Sequence, residues 1–193
     1  MRVIVLSVVI ALLAPPLAAA EEAAPTWRLG VDLAGGARHI AASAGTRRTG
    51  WVAQLAVRPH VVGPLSLGVL GDLDQRQDVS GTLRIVQTRL GVAPFAEAQS
   101  SGPVRAVGRL GLGWAGTWTA WKQGPGTVDG ASGADIDPAS LPPTTLRSRP
   151  LFLLDAGVRF APKGPVRITA LFSLQARGAQ VDLGGTVGVG VEI

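Results

Sequence analysis

Along Val181–Ile193 the odd positions read Val181, Leu183, Gly185, Val187, Val189, Val191 and Ile193, and the even positions read Asp182, Gly184, Thr186, Gly188, Gly190 and Glu192. One side is apolar apart from a glycine, and the other carries no large apolar group. A period of two predicts a strand whose two faces meet different surroundings. The same period recurs upstream. In Thr26–Gly35, Trp27, Leu29, Val31 and Leu33 oppose Arg28, Gly30, Asp32 and Ala34; in Thr49–Arg58, Trp51, Ala53, Leu55 and Val57 oppose Gln54 and Arg58. In Leu65–Asp74, Leu65, Leu67, Val69 and Leu73 oppose Ser66, Gly68, Asp72 and Asp74. Gly81–Glu97 is the least regular; Val86, Thr88, Leu90 and Val92 are assigned to one face and Gln87, Arg89, Gly91 and Ala93 to the other, with a bulge at Pro94-Phe95. Val104–Trp121, Leu146–Phe160 and Val166–Arg177 complete a set of eight strands, and no helical period appears among them.

The connections sort by end. Gly63-Pro64-Leu65, Gly102-Pro103-Val104-Arg105 and Gly164-Pro165-Val166-Arg167 form a small repeat that opens the third, fifth and seventh strands through tight turns. The links at the other end are Ala37–Arg48, Gln75–Ser80, Lys122–Thr145 and Gly178–Gln180, three of them longer than a tight turn. Eight strands with short turns at one end and longer loops at the other predict an all-β, antiparallel up-and-down transmembrane barrel, with periplasmic turns and extracellular loops. Closing the last strand onto the first removes the open edge that hydrocarbon does not tolerate.

Composition adds an address. Arg2, the apolar run Val3–Leu13 and Leu17-Ala-Ala-Ala20 read as a signal peptide over residues 1–20, leaving a barrel domain over 21–193. Pro15-Pro16 interrupts the apolar run, which argues against a membrane-anchor helix. The chain has no cysteine, so a cysteine-linked lipid, disulfides and thiolate chemistry are all excluded. The formal charge is +5, yet lysine occurs only at Lys122 and Lys163. Arginine tolerates burial in planar, bidentate pairs, so the charge points to internal ion pairs rather than to nucleic acid.

A soluble, lipocalin-like barrel would show the same alternation with its apolar side inward. Two features oppose that reading. The polar face carries Gly, Thr, Ser, Gln, Asp and Arg, small or pairable groups suited to a narrow interior. The aromatic residues also gather near strand ends, with Trp27 and Phe160 (and Phe95 as a third) toward the turn end and Trp51, Trp114 and Trp118 toward the loop end. Such girdles are expected where rings meet lipid headgroups. The closing strand, with Val187, Val189, Val191 and Ile193 on its apolar side, resembles the terminal strand of outer-membrane barrels, whose members most often end in Phe. Over the mature length the pattern is similar to the small eight-stranded barrels of the OmpA, OmpX and OmpW kind, without a following periplasmic domain. The resemblance implies outer-membrane localisation in a Gram-negative bacterium, contact with membrane lipid and lipopolysaccharide, handling by the barrel-assembly machinery, and a monomer.

The face turned inward by this reading holds Arg28, Arg58, Arg89, Arg105, Arg109, Arg159, Arg167 and Arg177 with Asp32, Asp72, Asp74, Asp155, Asp182 and Glu192. In a barrel just wide enough for side chains, these groups form a plug of salt bridges, and the expected role is structural or surface-interactive. A narrow channel for ions or small solutes is the alternative. A lipid-A-modifying enzyme, as some barrels of this size are, is a further one; its base would have to be His39, in the first loop near Ser43, or His60, which the pattern puts in the Pro59–Pro64 turn at the periplasmic end, far from outer-leaflet lipid. A loop histidine is more often solvated, so no enzyme, catalytic residue, metal or cofactor is expected. Asp129, Asp135 and Asp137 do not match a calcium-loop spacing. Arg38, Arg47 and Arg48 are offered as loop contacts to lipopolysaccharide phosphates.

Overall fold

The computed structural model describes residues 28–41, 48–62, 64–80, 83–123, 143–161, 165–178 and 180–193. They form eight strands: β1 (Arg28–Ala41), β2 (Arg48–Val62), β3 (Leu65–Ser80), β4 (Leu83–Gln99), β5 (Val104–Gln123), β6 (Thr145–Phe160), β7 (Val166–Arg177) and β8 (Gln180–Glu192). Each strand pairs antiparallel with its neighbours in sequence, and β1 also pairs with β8, so the sheet is a closed up-and-down barrel. Closure finishes with a reciprocal pair of backbone bonds: Leu29 and Ile193 each donate N–H to the other's carbonyl at 2.9 Å.

The Gly-Pro repeat is repeated in space. The carbonyls of Pro64, Pro103 and Pro165 accept N–H groups from Gln99 at 2.9 Å, Ala161 at 2.7 Å and Glu192 at 2.9 Å. Each proline sits just before its strand, where a missing N–H interrupts no ladder, and its carbonyl extends pairing to the next strand. Gly102 reaches φ 104°, a conformation that residues with a Cβ rarely adopt, which is why the middle turn has glycine before its proline.

The strands run further than the alternation alone suggested. β1 continues to Ala41 and β2 starts at Arg48, so the first loop shrinks to residues 42–47. β3 continues to Ser80 and β4 starts at Leu83, so the second link at that end is two residues long, and two of the four loop-end links are longer than a tight turn, not three. Polar, small-residue stretches here are strand because both faces near a barrel mouth meet water or polar neighbours. The bulge expected at Pro94-Phe95 is absent: Pro94 pairs with Val69 and Phe95 with both Gly68 and Gly111, in unbroken register. Among the described residues, the register shifts between His60 and Val62 against β3.

Facing follows sequence parity. Leu33, Leu67, Val92, Leu112, Phe172 and Val187 are among the large apolar residues left exposed on the outer surface. In β4, Leu90 and Val92 point out while Arg89, Gly91 and Ala93 are buried. The interior is not wholly polar. Ala56, Leu70, Phe95 and Leu153 form one buried apolar cluster, and Ala93, Ala115 and Leu151 form another. Phe95 is therefore no rim aromatic. It fills the lumen, 4% exposed, with the Arg109 guanidinium 5.2 Å from its ring centroid.

Candidate functional site

Charged side chains fill the lumen in two separate groups. At the turn end, Asp32 and Glu97 face Arg58, Arg109 and Arg159. Glu97 is fully buried and accepts from all three: Arg58 Nη1 at 2.9 Å, Arg109 Nε at 2.6 Å, and Arg159 Nη1 and Nη2 at 2.7 and 3.0 Å. The same arginines reach Asp32, with Arg58 Nη2 at 3.1 Å from Oδ1 and Arg109 Nη2 and Arg159 Nη2 at 3.1 and 3.4 Å from Oδ2. Each guanidinium thus bridges both carboxylates, a use of arginine's planar fork that lysine does not match. Gly190 makes this possible beside Asp32, because a Cβ there would lie 1.8 Å from Asp32 Oδ1.

At the loop end, Asp72, Asp74 and Asp182 face Arg38, Arg76, Arg89 and Arg177. Arg38 binds Asp72 with both terminal nitrogens, at 2.8 and 2.6 Å, and reaches Asp74 at 3.0 Å. Arg89 bridges Asp72 at 3.1 Å and Asp182 at 2.9 Å and also pairs with Asp74. Arg76 links Asp74 and Asp182 at 3.3 and 3.1 Å, and Arg177 pairs with Asp182. Gln54 and Gln175 each donate to Asp72 at 3.1 Å, which occupies remaining acceptor sites. Buried charges persist where they are paired and hydrogen-bonded in this way.

The groups are held apart by a waist. In β2, Ala56 falls between Arg58 and Gln54; in β3, Leu70 falls between Ser66 and Asp72; in β4, Ala93 and Phe95 fall between Arg89 and Glu97. Leu151 and Leu153 do the same in β6. Asp155 sits at the edge of this layer, fully buried. Its Oδ1 accepts from Ser173 Oγ at 2.5 Å, its Oδ2 meets no protein donor, and it has no ion pair among the described residues.

Beyond the loop-end group the lumen opens into a cavity of about 440 Å³, lined in part by Asp74, Arg76, Arg89, Arg147, Arg149 and Arg177. The rims differ from the deep lumen. Arg28 is half-exposed, with Glu192 at 3.7 Å; Arg167 Nε is 3.2 Å from Glu192; Arg105 is partly exposed and donates to the Gly102 carbonyl at 3.0 Å. Among the aromatic residues named from sequence, Trp51, Trp114, Trp118 and Phe160 lie on the outer surface, and Trp27 lies outside the described residues, as do residues 1–20. Val187, Val189, Val191 and Ile193 all point outward.

Three participants were missed. The alternation alone puts Arg38 in a loop facing lipopolysaccharide; it is 1% exposed inside the barrel, because β1 carries the even-numbered inward face past Asp32, Ala34 and Gly36. The alternation alone likewise leaves Arg76 in a loop and gives Glu97 no face. Continued parity, from Asp72 through Asp74 and from Arg89 through Phe95, is the signal that would have found them. Arg48 begins β2, while Ser43, Arg47, Asp129, Asp135 and Asp137 lie outside the described residues. His39 Nδ1 lies 3.0 Å from Thr49 Oγ1, and His60 falls within β2 rather than in a turn.

No family model matches the chain, and no curated protein matches it. Solved structures do. Ail, the attachment invasion locus protein of Yersinia pestis, superposes with a TM-score of 0.54 at 14% identity, over 86% of this chain and 99% of Ail. The same protein in complex with the heparin analogue sucrose octasulfate gives 0.54 at 13% identity, over 86% and 99%. Neisserial surface protein A gives 0.57 at 12% identity, over 88% and 99%. The N-terminal β-barrel domain of Pseudomonas aeruginosa OprF gives 0.52 at 12% identity, over 88% and 100%. The chain has the fold of the small eight-stranded outer-membrane β-barrels.

Proposed function

We propose that this chain is a small outer-membrane barrel protein of a Gram-negative bacterium, with a side-chain-filled interior and a structural or surface-interaction role carried at its loop end. The observation that carries the reading is the inversion of the barrel. Leucine, valine and phenylalanine cover the outside, whereas the inside holds networks of arginine and carboxylate. Water would penalise such an outer surface, and a bilayer suits it. A closed ladder satisfies the backbone within hydrocarbon. The packed waist and the two ion-pair groups favour a filled barrel over a solute path. The leader over residues 1–20 fits export, and the outer-surface residues Trp51, Trp114 and Trp118 fit an interface belt near the loop end.

Protease treatment of intact cells expressing the protein tests the orientation. Cleavage within residues 124–142, with the remainder retained in the outer-membrane fraction, is the expected result. Protection of that segment until the outer membrane is permeabilised would overturn the topology. Planar-bilayer recording of the refolded protein should show no steady conductance steps; regular steps would replace the filled-barrel reading with a channel. Mass spectra of lipid A from the same cells should show an unchanged acyl pattern.

A further inference from the structure

We propose that the cavity at the loop end binds a small, soluble phosphate-type oxyanion, with Arg147 and Arg149 as its principal ligands. The proposal deepens the surface-interaction reading by naming the ligand class, and it rests on that reading only for which side of the membrane the site faces.

The argument begins with charge. The floor of the cavity is the loop-end ion-pair group, in which Arg38, Arg76, Arg89 and Arg177 outnumber Asp72, Asp74 and Asp182 by one. Above it, Arg147 and Arg149 line the wall and have no ion pair or hydrogen bond among the described residues. They share the parity of the buried Leu151, Leu153 and Asp155 along β6, so both lie on the inward face at the open, exposed mouth of the cavity, roughly 7 Å apart along the strand. Five guanidiniums and one carboxylate line a space of about 440 Å³. Confined charge of one sign between low-dielectric walls concentrates counter-ions of the other sign.

Chemistry narrows the class. Guanidinium forks match the oxygen geometry of phosphate and form charge-assisted, bidentate bonds to it. Thr117, Thr119 and Thr145 bring hydroxyl donors to the same wall. Arg76, Arg89 and Arg177 are already held by carboxylates, so the floor is rigid and positive while Arg147 and Arg149 remain available to a ligand. The lining positions Asp74, Arg89, Thr117, Arg147 and Arg177 belong to the inward faces of their strands, so the cavity opens along the barrel axis. A lipid headgroup would approach from the outer surface instead, which favours a soluble anion.

Isothermal titration calorimetry of the refolded full chain in an uncharged detergent, with inorganic pyrophosphate as probe, tests the proposal. The expected result is saturable binding that weakens as salt rises. The double variant Arg147→Gln/Arg149→Gln, which breaks no contact seen among the described residues, should weaken it by at least about tenfold. Arg28→Gln removes a half-exposed arginine at the opposite end and should change it by less than about twofold. Equal binding by wild type and the double variant would overturn the proposal, as would an equal loss in Arg28→Gln. Binding that appears only after Gly126–Ser140 is deleted would assign the cavity to the loop's own carboxylates and also overturn it. Purified lipopolysaccharide should not compete with pyrophosphate; lipopolysaccharide binding without pyrophosphate binding would replace the soluble ligand with a lipid one. These outcomes do not depend on membrane orientation, so they fail separately from the protease experiment.

Discussion

Replacing Glu97 with glutamine should be among the most damaging single-group changes that this barrel can suffer. Glu97 is fully buried and accepts four hydrogen bonds from Arg58, Arg109 and Arg159. Glutamine preserves the volume and one acceptor oxygen, so no cavity opens. What changes is charge: three guanidiniums then share Asp32 alone, in a buried setting where their repulsion is weakly screened. Removing one partner from a buried ionic group costs about 3–5 kcal/mol. Summing the separate bonds at about 1.5–3 kcal/mol each would overstate the loss, because the glutamine oxygen retains part of the contact. Against a typical stability of about 5–15 kcal/mol, this is a large fraction. Asp155→Asn provides the control. Asp155 is an equally buried carboxyl side chain, but it has one hydrogen bond, from Ser173, and no ion pair among the described residues. Asparagine keeps the accepting oxygen and removes a charge without a bonded counterpart, so the change should be within about 1 kcal/mol. Urea titration of protein refolded into vesicles, followed by the mobility difference between heated and unheated gel samples, measures both. Equal midpoints for the two variants would refute the claim that the turn-end network, rather than burial of acids in general, supports the fold.

Other outcomes follow from the same geometry. Phe172→Arg places a charge on the outer surface and should lower refolding stability by about 2–4 kcal/mol if it lies near the bilayer midplane, whereas Phe172→Leu should be mild; vesicle-based urea titration compares them. Deleting Val191–Ile193 removes the reciprocal Leu29–Ile193 bonds, the Glu192–Pro165 bond and the Glu192 carboxylate that faces Arg167 and Arg28. The heat-modifiable species should then fall sharply in outer-membrane fractions, because backbone groups left open in hydrocarbon cost several kcal/mol each. Deleting Gly126–Ser140 should leave that species near wild-type level, since loop length changes closure entropy slowly.

The strand pattern was most legible where polarity and facing agree. In β8 every inward position is small or polar and every outward one is apolar or glycine, so period and phase are both visible. β4 was harder because Phe95 is apolar yet points inward, and Pro94 suggested a break that the continuous register does not contain. Leu70, Leu151 and Leu153 conceal the waist in the same way: an inward leucine looks like an outward one unless the count of two is carried through it. The charge network was partly legible. Asp32, Asp72, Asp74, Asp155 and Asp182 stand at inward positions within clear alternation, whereas Arg38 and Arg76 stand past the point where outward residues cease to be apolar. Near a barrel mouth the two surroundings converge, and the contrast that marks a strand fades although the ladder continues. Pairing is a further matter. Which arginine meets which carboxylate depends on stagger around the closed sheet, and Arg76 meets Asp182 from more than a hundred residues away.

The central claim is that alternate residues of a closed barrel face lipid and the others face a packed, charged lumen. The absence of cysteine makes a single-cysteine scan clean. Nitroxide labels placed one at a time from Ile168 to Leu174, in protein refolded into vesicles, can be read for collision with dissolved oxygen, which concentrates in lipid. The account predicts high oxygen accessibility at Ile168, Ala170, Phe172 and Leu174 and low accessibility at Thr169, Leu171 and Ser173. Leu171 is the decisive position, because it is apolar but only 5% exposed on the inward face. Oxygen accessibility at Leu171 equal to that at Phe172, or preferential access of a water-soluble relaxation agent to the Ile168 and Phe172 positions, would contradict it.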